Sequence, residues 1–342
     1  MSGARPRGAI DCDVHCMPAS FEALLPYLDD YYRDYVDDAT IGLADPVSYV
    51  PHVEGTVPST AAELTAALDR DGTELAVLSC LAMHGVHRNP GYAAAFASAV
   101  NDWLRDELLA ADARLRAGLV VATDDVSLAV EEIERVGPDP RFVQVLLPVR
   151  ADTPYGNRRY HPIYEAAERH GLRIALHAWG RAGHAAAPTG IAPSWFHDYA
   201  SNAHVAQYQL LSLVAEGVFA RFPALGVVVL ECGFAWLPPL LWRFDKDWKG
   251  VWREVPWVKG RPSETVREHV RLSTAPAQLP PTAAQVAEVV EMVGPQLLLY
   301  ASDHPHDHGE APDALWSGLD AETAAAIARG NAASFYGEAV AV

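Results

Sequence analysis

The chain has 342 residues, half of them hydrophobic, and carries 26 basic against 44 acidic side chains for a formal net charge of −18. That size and apolar content supply a core for one large domain, expected over residues 8–336, while the acidic excess repels phosphate backbones and anionic lipid surfaces, so neither nucleic acid nor a membrane is an expected partner. There is no apolar run of about 18 residues and no signal-peptide core, and Cys12, Cys16, Cys80 and Cys232 are too scattered for a disulfide framework or a zinc ribbon, so a reducing cytoplasm is expected.

In chain order, short β-rich apolar runs recur at 9–10, 74–80, 116–121, 142–147, 172–177, 226–231, 270–273 and 297–301. Segments at 92–110, 127–136, 162–170, 205–221 and 283–293 return an apolar residue every three or four positions, the period of an amphipathic helix. Eight strands alternating with helices predict an α/β fold, a (β/α)8 TIM barrel. Two stretches depart from the pattern, 18–72 after the first strand and 179–199 after the fifth. Both are expected as enlarged loops over the active face, the first as an insertion or lid.

Polar side chains gather where apolar runs end. Asp13 and His15 follow the first run, His177 ends the fifth, Glu231 the sixth and Asp303 follows the eighth. In an open sheet these strands lie spread across its width, whereas in a closed barrel their C-terminal ends share one face. Residues 13 and 15 also project to the same side of an extended strand. Asp13, His15, His177 and Asp303 therefore form a candidate ligand set for one divalent metal ion, with zinc expected first and manganese or iron as the others.

The residues that carry these signals resemble the amidohydrolase superfamily, in the amidohydrolase-2 branch related to aminocarboxymuconate-semialdehyde decarboxylase. That branch opens with Asp-x-His-x-His-x-x-Pro; this chain reads Asp11-Cys12-Asp13-Val14-His15-Cys16-Met17-Pro18. A His ends strand five, matched by His177, and a Ser-Asp-Tyr-Pro-His string follows strand eight, matched by Ser302-Asp303-His304-Pro305-His306. The similarity runs from about 8 to 336. Two positions depart from it: Asp13 replaces the first His of the opening motif, and Glu231 replaces the strand-six His, which makes one metal ion the expectation rather than two.

Asp303 is expected to take a proton from water and return it to a leaving group. Glu231 is read either as a second acid/base or as a strand-end carboxylate paired with an arginine such as Arg243. His306 and His304 are candidate substrate contacts within the cluster that His308 completes, and Trp179, with Trp195 and Phe196, is a candidate wall for a small-molecule substrate. The first functional expectation is a metal-dependent hydrolase acting on a small carbonyl compound through activated water. The alternative, which the resemblance most directly implies, is non-oxidative decarboxylation of an aromatic or unsaturated acid. An iron-dependent oxygenase and a barrel without catalysis are further readings. Aromatic segments 236–244 and 248–257 make a homodimer a further expectation.

Overall fold

In the computed structural model, residues 5–39, 57–81, 89–180, 194–309 and 313–340 are described. Eight strands, β1 (Ala9–His15), β2 (Thr73–Ser79), β3 (Leu115–Val120), β4 (Phe142–Arg150), β5 (Arg173–Gly180), β6 (Val227–Leu230), β7 (Val270–Ser273) and β8 (Leu298–Leu299), follow one another around a single parallel sheet. The chain beyond β8 completes the barrel against β1: Cys12 N donates to Tyr300 O, Asp303 N to Asp13 O and His15 N to His304 O. This is the expected (β/α)8 TIM barrel. Each strand is buried on both sides, which is why its residues read as nearly continuous apolar runs.

The inner cluster contains Ile10, Cys12, Leu75, Val77, Ala175, Val228, Leu230 and Leu299; Val14, Cys16, Ala76, Leu78, Leu176 and Val229 belong to the outer cluster beneath the helices. The apolar filling therefore stops near the C-terminal ends of the strands, and the next inward positions are polar.

The stretch 18–72 contains the helices Asp30–Ala39 and Ala61–Asp71. The second is the ordinary crossover helix of a βα unit. Thr60 and Glu63 close a reciprocal capping box at its start, Gly72 ends it in the left-handed conformation, and β2 begins at the next residue. Residues 40–56 lie outside the described residues. After β5, the helix Trp195–Ala200 leads to Asn202–Ala215, while 181–193 and the Trp195 side chain lie outside the described set. The aromatic stretch 236–257 forms the helix Leu237–Val251 and the turn beyond it, with Trp242 and Trp252 exposed. Among the described residues no helix is long and apolar enough to cross a membrane, and all four cysteines are free and buried.

Asn101, fully buried, ties two helices to the end of β3. Its amide donates to Val120 O at 2.8 Å and to Glu132 Oε1 at 2.7 Å, and its carbonyl accepts from Val120 N at 2.9 Å. Asn101→Ala strands the Val120 amide in a dry interior. The expected loss is about 1–3 kcal/mol of stability, read as a lower urea midpoint with an unchanged denaturant slope.

Candidate active site

The site begins with an irregularity in β1. Asp11 is level with Ala76 and Val14 with Leu78, so β1 carries one more residue than β2 over this interval. Unbroken alternation from Ile10 and Cys12 would point Val14 into the barrel and His15 away from it. The extra residue reverses the order, leaving Val14 outside and turning His15 inward with Asp13. Asp11 stays behind them, buried, accepting from Ser302 N at 2.9 Å and Asp13 N at 3.3 Å. Burial lifts its carboxyl to about 7 against the opposing pull of those bonds.

His177 follows the inner parity of Ala175 on β5. Its Nε2 lies 3.3 Å from Asp13 Oδ2, and its Nδ1 faces Glu231 Oε2 at 3.7 Å. The His15 and His177 rings meet edge to face with centroids 5.1 Å apart. Glu231 and Asp303 reach the mouth by another device: both adopt positive φ, 56° and 57°, where side chains other than glycine are uncommon. Each strand path thus turns abruptly as it leaves the barrel wall and delivers a carboxylate over its open end. Such backbone costs on the order of 1–3 kcal/mol and is held by its surroundings. Glu231 N donates to Ser273 Oγ at 3.0 Å, and Asp303 N to Asp13 O at 3.1 Å.

Asp303 is fully buried and engaged by three imidazoles. His15 Nε2 lies 2.7 Å and His306 Nδ1 2.9 Å from Oδ1, and His308 Nε2 bonds Oδ2. Burial alone would raise its carboxyl; the charge of His15 and the bonds from the three rings outweigh it and hold Asp303 well below the usual carboxylate range. Burial lowers His15 against the pull of Asp303, while the Asp303 bond prevails at His306 and raises it. Burial, reinforced by the negative charge of Asp303, pushes Glu231 well above its ordinary value. Glu231 Oε1 accepts from the Tyr199 hydroxyl at 3.1 Å. Arg243, the alternative partner for Glu231, instead pairs with Asp247 on its own exposed helix.

Among the described residues, two overlapping groups bring ligand atoms within 4.8 Å of one another: Asp13, His15 and His177, and His15, Glu231, Asp303 and His306. Both Asp13 oxygens and both His177 ring nitrogens are buried without completing a hydrogen bond. Unsatisfied groups of this kind are costly in a dry interior, and a cation facing them removes the cost. The residues present fit a divalent metal ion.

The structure thus brings together Asp13, His15, His177, Glu231, Asp303 and His306. His304 is different: its carbonyl helps close the barrel, its ring belongs to neither ligand group, and burial with the nearby Arg70 charge lowers its pKa. Trp179 is not in a loop, because β5 runs to Gly180 beside Arg150 of β4. It is a buried strand residue two positions beyond His177, within an interval where β5 carries one more residue than β4. Phe196 is exposed. Two residues of the network were not singled out from sequence. Tyr199 sits in a stretch without periodicity, and its hydroxyl lies 3.1 Å from Glu231 and 3.5 Å from His308 Nδ1. His308 itself was visible only as part of a histidine-rich string.

Comparison with solved structures agrees with the barrel. 5-Carboxyvanillate decarboxylase LigW from Sphingomonas paucimobilis matches at 23% identity and TM-score 0.70, over 97% of this chain and 99% of that one. A dihydroxybenzoic acid decarboxylase from Polaromonas sp. JS666, with bound manganese and the inhibitor 2-nitroresorcinol, matches at 19% identity and TM-score 0.67 over 97% of each chain. An amidohydrolase from Mycobacterium avium subsp. paratuberculosis K-10 matches at 20% identity and TM-score 0.75, over 98% and 99%. At these identities the likeness establishes the fold. No curated protein matches the sequence. The amidohydrolase family model matches residues 10–337, nearly the whole chain, in keeping with the barrel and its ring of histidines and carboxylates, and the chain belongs to the amidohydrolase family.

Proposed function

We propose that the protein is a divalent-metal-dependent, non-oxidative decarboxylase of a small aromatic or unsaturated carboxylic acid. The observation that carries this reading is the engagement of Asp303 by His15, His306 and His308. A hydrolytic base is served by an oxygen free to face water, whereas this carboxylate is bonded by His306 on one oxygen and His308 on the other, with His15 Nε2 2.7 Å away. It is better arranged to pass a proton supplied from their side than to strip one from a water molecule. The decarboxylase activities of the LigW and Polaromonas neighbours support the same choice over hydrolysis.

In this reading Asp13, His15, His177 and Asp303 hold one ion. A set with as many carboxylates as imidazoles favours manganese over zinc, as does the manganese in the Polaromonas structure. A bound divalent ion supplies positive charge that stabilises negative charge on the substrate's oxygens. Glu231, fixed by Tyr199 and Ser273, faces the far nitrogen of His177 and so orients the ring, leaving Nε2 toward Asp13. Asp303 delivers the proton to the carbon that bears the carboxylate, and His306 and His308 resupply it. The bond from that carbon to the carboxylate then breaks, its electron pair returns to the ring or alkene, and carbon dioxide leaves without consumption of water. Trp179, buried near the end of β5 two residues beyond His177, is the candidate wall for the substrate's ring. The test is release of carbon dioxide from a panel of hydroxybenzoates by manganese-loaded protein. One carbon dioxide per product supports the reading; no release from any member, with metal bound, overturns it.

A further inference from the structure

The inner face of β2 carries a feature that neither the ligand set nor the proton route uses. Leu75 and Val77 belong to the inner cluster and Ala76, Leu78 and Cys80 to the outer one, so Ser79 is the next inward residue at the mouth. It is level with His15 on the adjacent strand. Its side chain is fully buried, and its Oγ has no hydrogen-bond partner. Most hydroxyls at strand ends bond a nearby carbonyl or reach water, and a buried one that does neither is destabilising unless something else meets it. An alanine there would fill nearly the same space without that penalty.

We propose that Ser79 is a substrate-binding residue whose hydroxyl donates to the carboxylate of the bound acid, making the β2 side of the mouth the subsite for that group. The inference rests on the decarboxylase reading, which supplies a carboxylate beside His15. A serine hydroxyl is a neutral donor suited to an oxyanion, and it projects from the strand next to a ligand candidate, where the reacting group has to lie. It favours substrates that present an anionic oxygen on this side and has no counterpart for an apolar substituent.

The test compares wild type with Ser79→Ala. In the metal-free state the variant should melt at or above the wild-type temperature, because an unpaired hydroxyl has been removed; a lower melting temperature, or failure to fold, shows a protein partner for Oγ and overturns the proposal. Calorimetric titration of the manganese-loaded proteins with hydroxybenzoates, and with the matching phenols that lack the carboxylate, gives the second readout. The variant should bind the acids roughly tenfold more weakly and the phenols within about twofold of wild type, the scale of one lost hydrogen bond to a charged group, with its manganese content unchanged. Equal weakening toward acids and phenols, unchanged binding of the acids, or loss of manganese overturns the assignment alone. Failure of the wild type to bind any acid overturns the decarboxylase reading and the subsite with it.

Discussion

Replacing Asp303 with Asn lowers turnover by about 10³-fold or more while the barrel remains folded. The fold survives because Asn tolerates positive φ as well as Asp does, and the backbone bond from residue 303 to Asp13 O needs no side chain. The chemistry does not survive, because the amide presents an NH₂ where a carboxylate oxygen accepted from an imidazole, and it cannot carry a transferable proton. Loss of a positioned acid costs roughly 10²–10⁴-fold, and Asp303 is also a proposed ligand, which places the effect toward the upper end. Measured turnover, with circular dichroism melting as the control for folding, separates the two. A variant with more than a tenth of wild-type turnover removes Asp303 from the proton route.

The second large effect is on metal binding. His177→Ala deletes a fully buried imidazole whose two nitrogens are unsatisfied and which stands between Asp13 and Glu231. Manganese affinity should fall by at least about 100-fold, since even residues that only orient a ligand are worth 10–100-fold. Binding confined to the folded state stabilises it by about 2.7 kcal/mol when the free ion is at 100 times its dissociation constant. Wild type should therefore melt at a higher temperature with manganese than after chelation, whereas at the same free ion concentration the variant should gain at most about 0.4 kcal/mol and show only a small part of that rise. An equal manganese-dependent rise in the two proteins would show that the ion is held elsewhere.

The barrel was legible because each strand is buried on both sides, and eight apolar runs separated by helical periods admit few other arrangements. The convergence of Asp13, His15, His177 and Asp303 followed from the same count. Devices one residue long were not legible. The extra residue in β1 that turns His15 inward leaves no mark in a buried strand, whose two faces are equally apolar. The positive φ of Glu231 could not be anticipated, since Glu has no preference for that conformation. Trp179 read as loop because β5 was taken to stop at its first polar residue, whereas pairing with β4 carries it on to Gly180. Ser79 read as the last residue of a strand; its unpaired hydroxyl needed the three-dimensional neighbourhood.

The most direct test of the account is the fate of solvent atoms during turnover. Manganese-loaded protein is incubated under an oxygen-free atmosphere with a hydroxybenzoate substrate, once in D₂O and once in H₂¹⁸O, and the products are examined by mass spectrometry and NMR. The account predicts one deuterium at the carbon that lost its carboxylate, one carbon dioxide per turnover, and no solvent oxygen in the aromatic product. A product that retains the carboxylate and carries an oxygen from water would contradict it and restore hydrolysis.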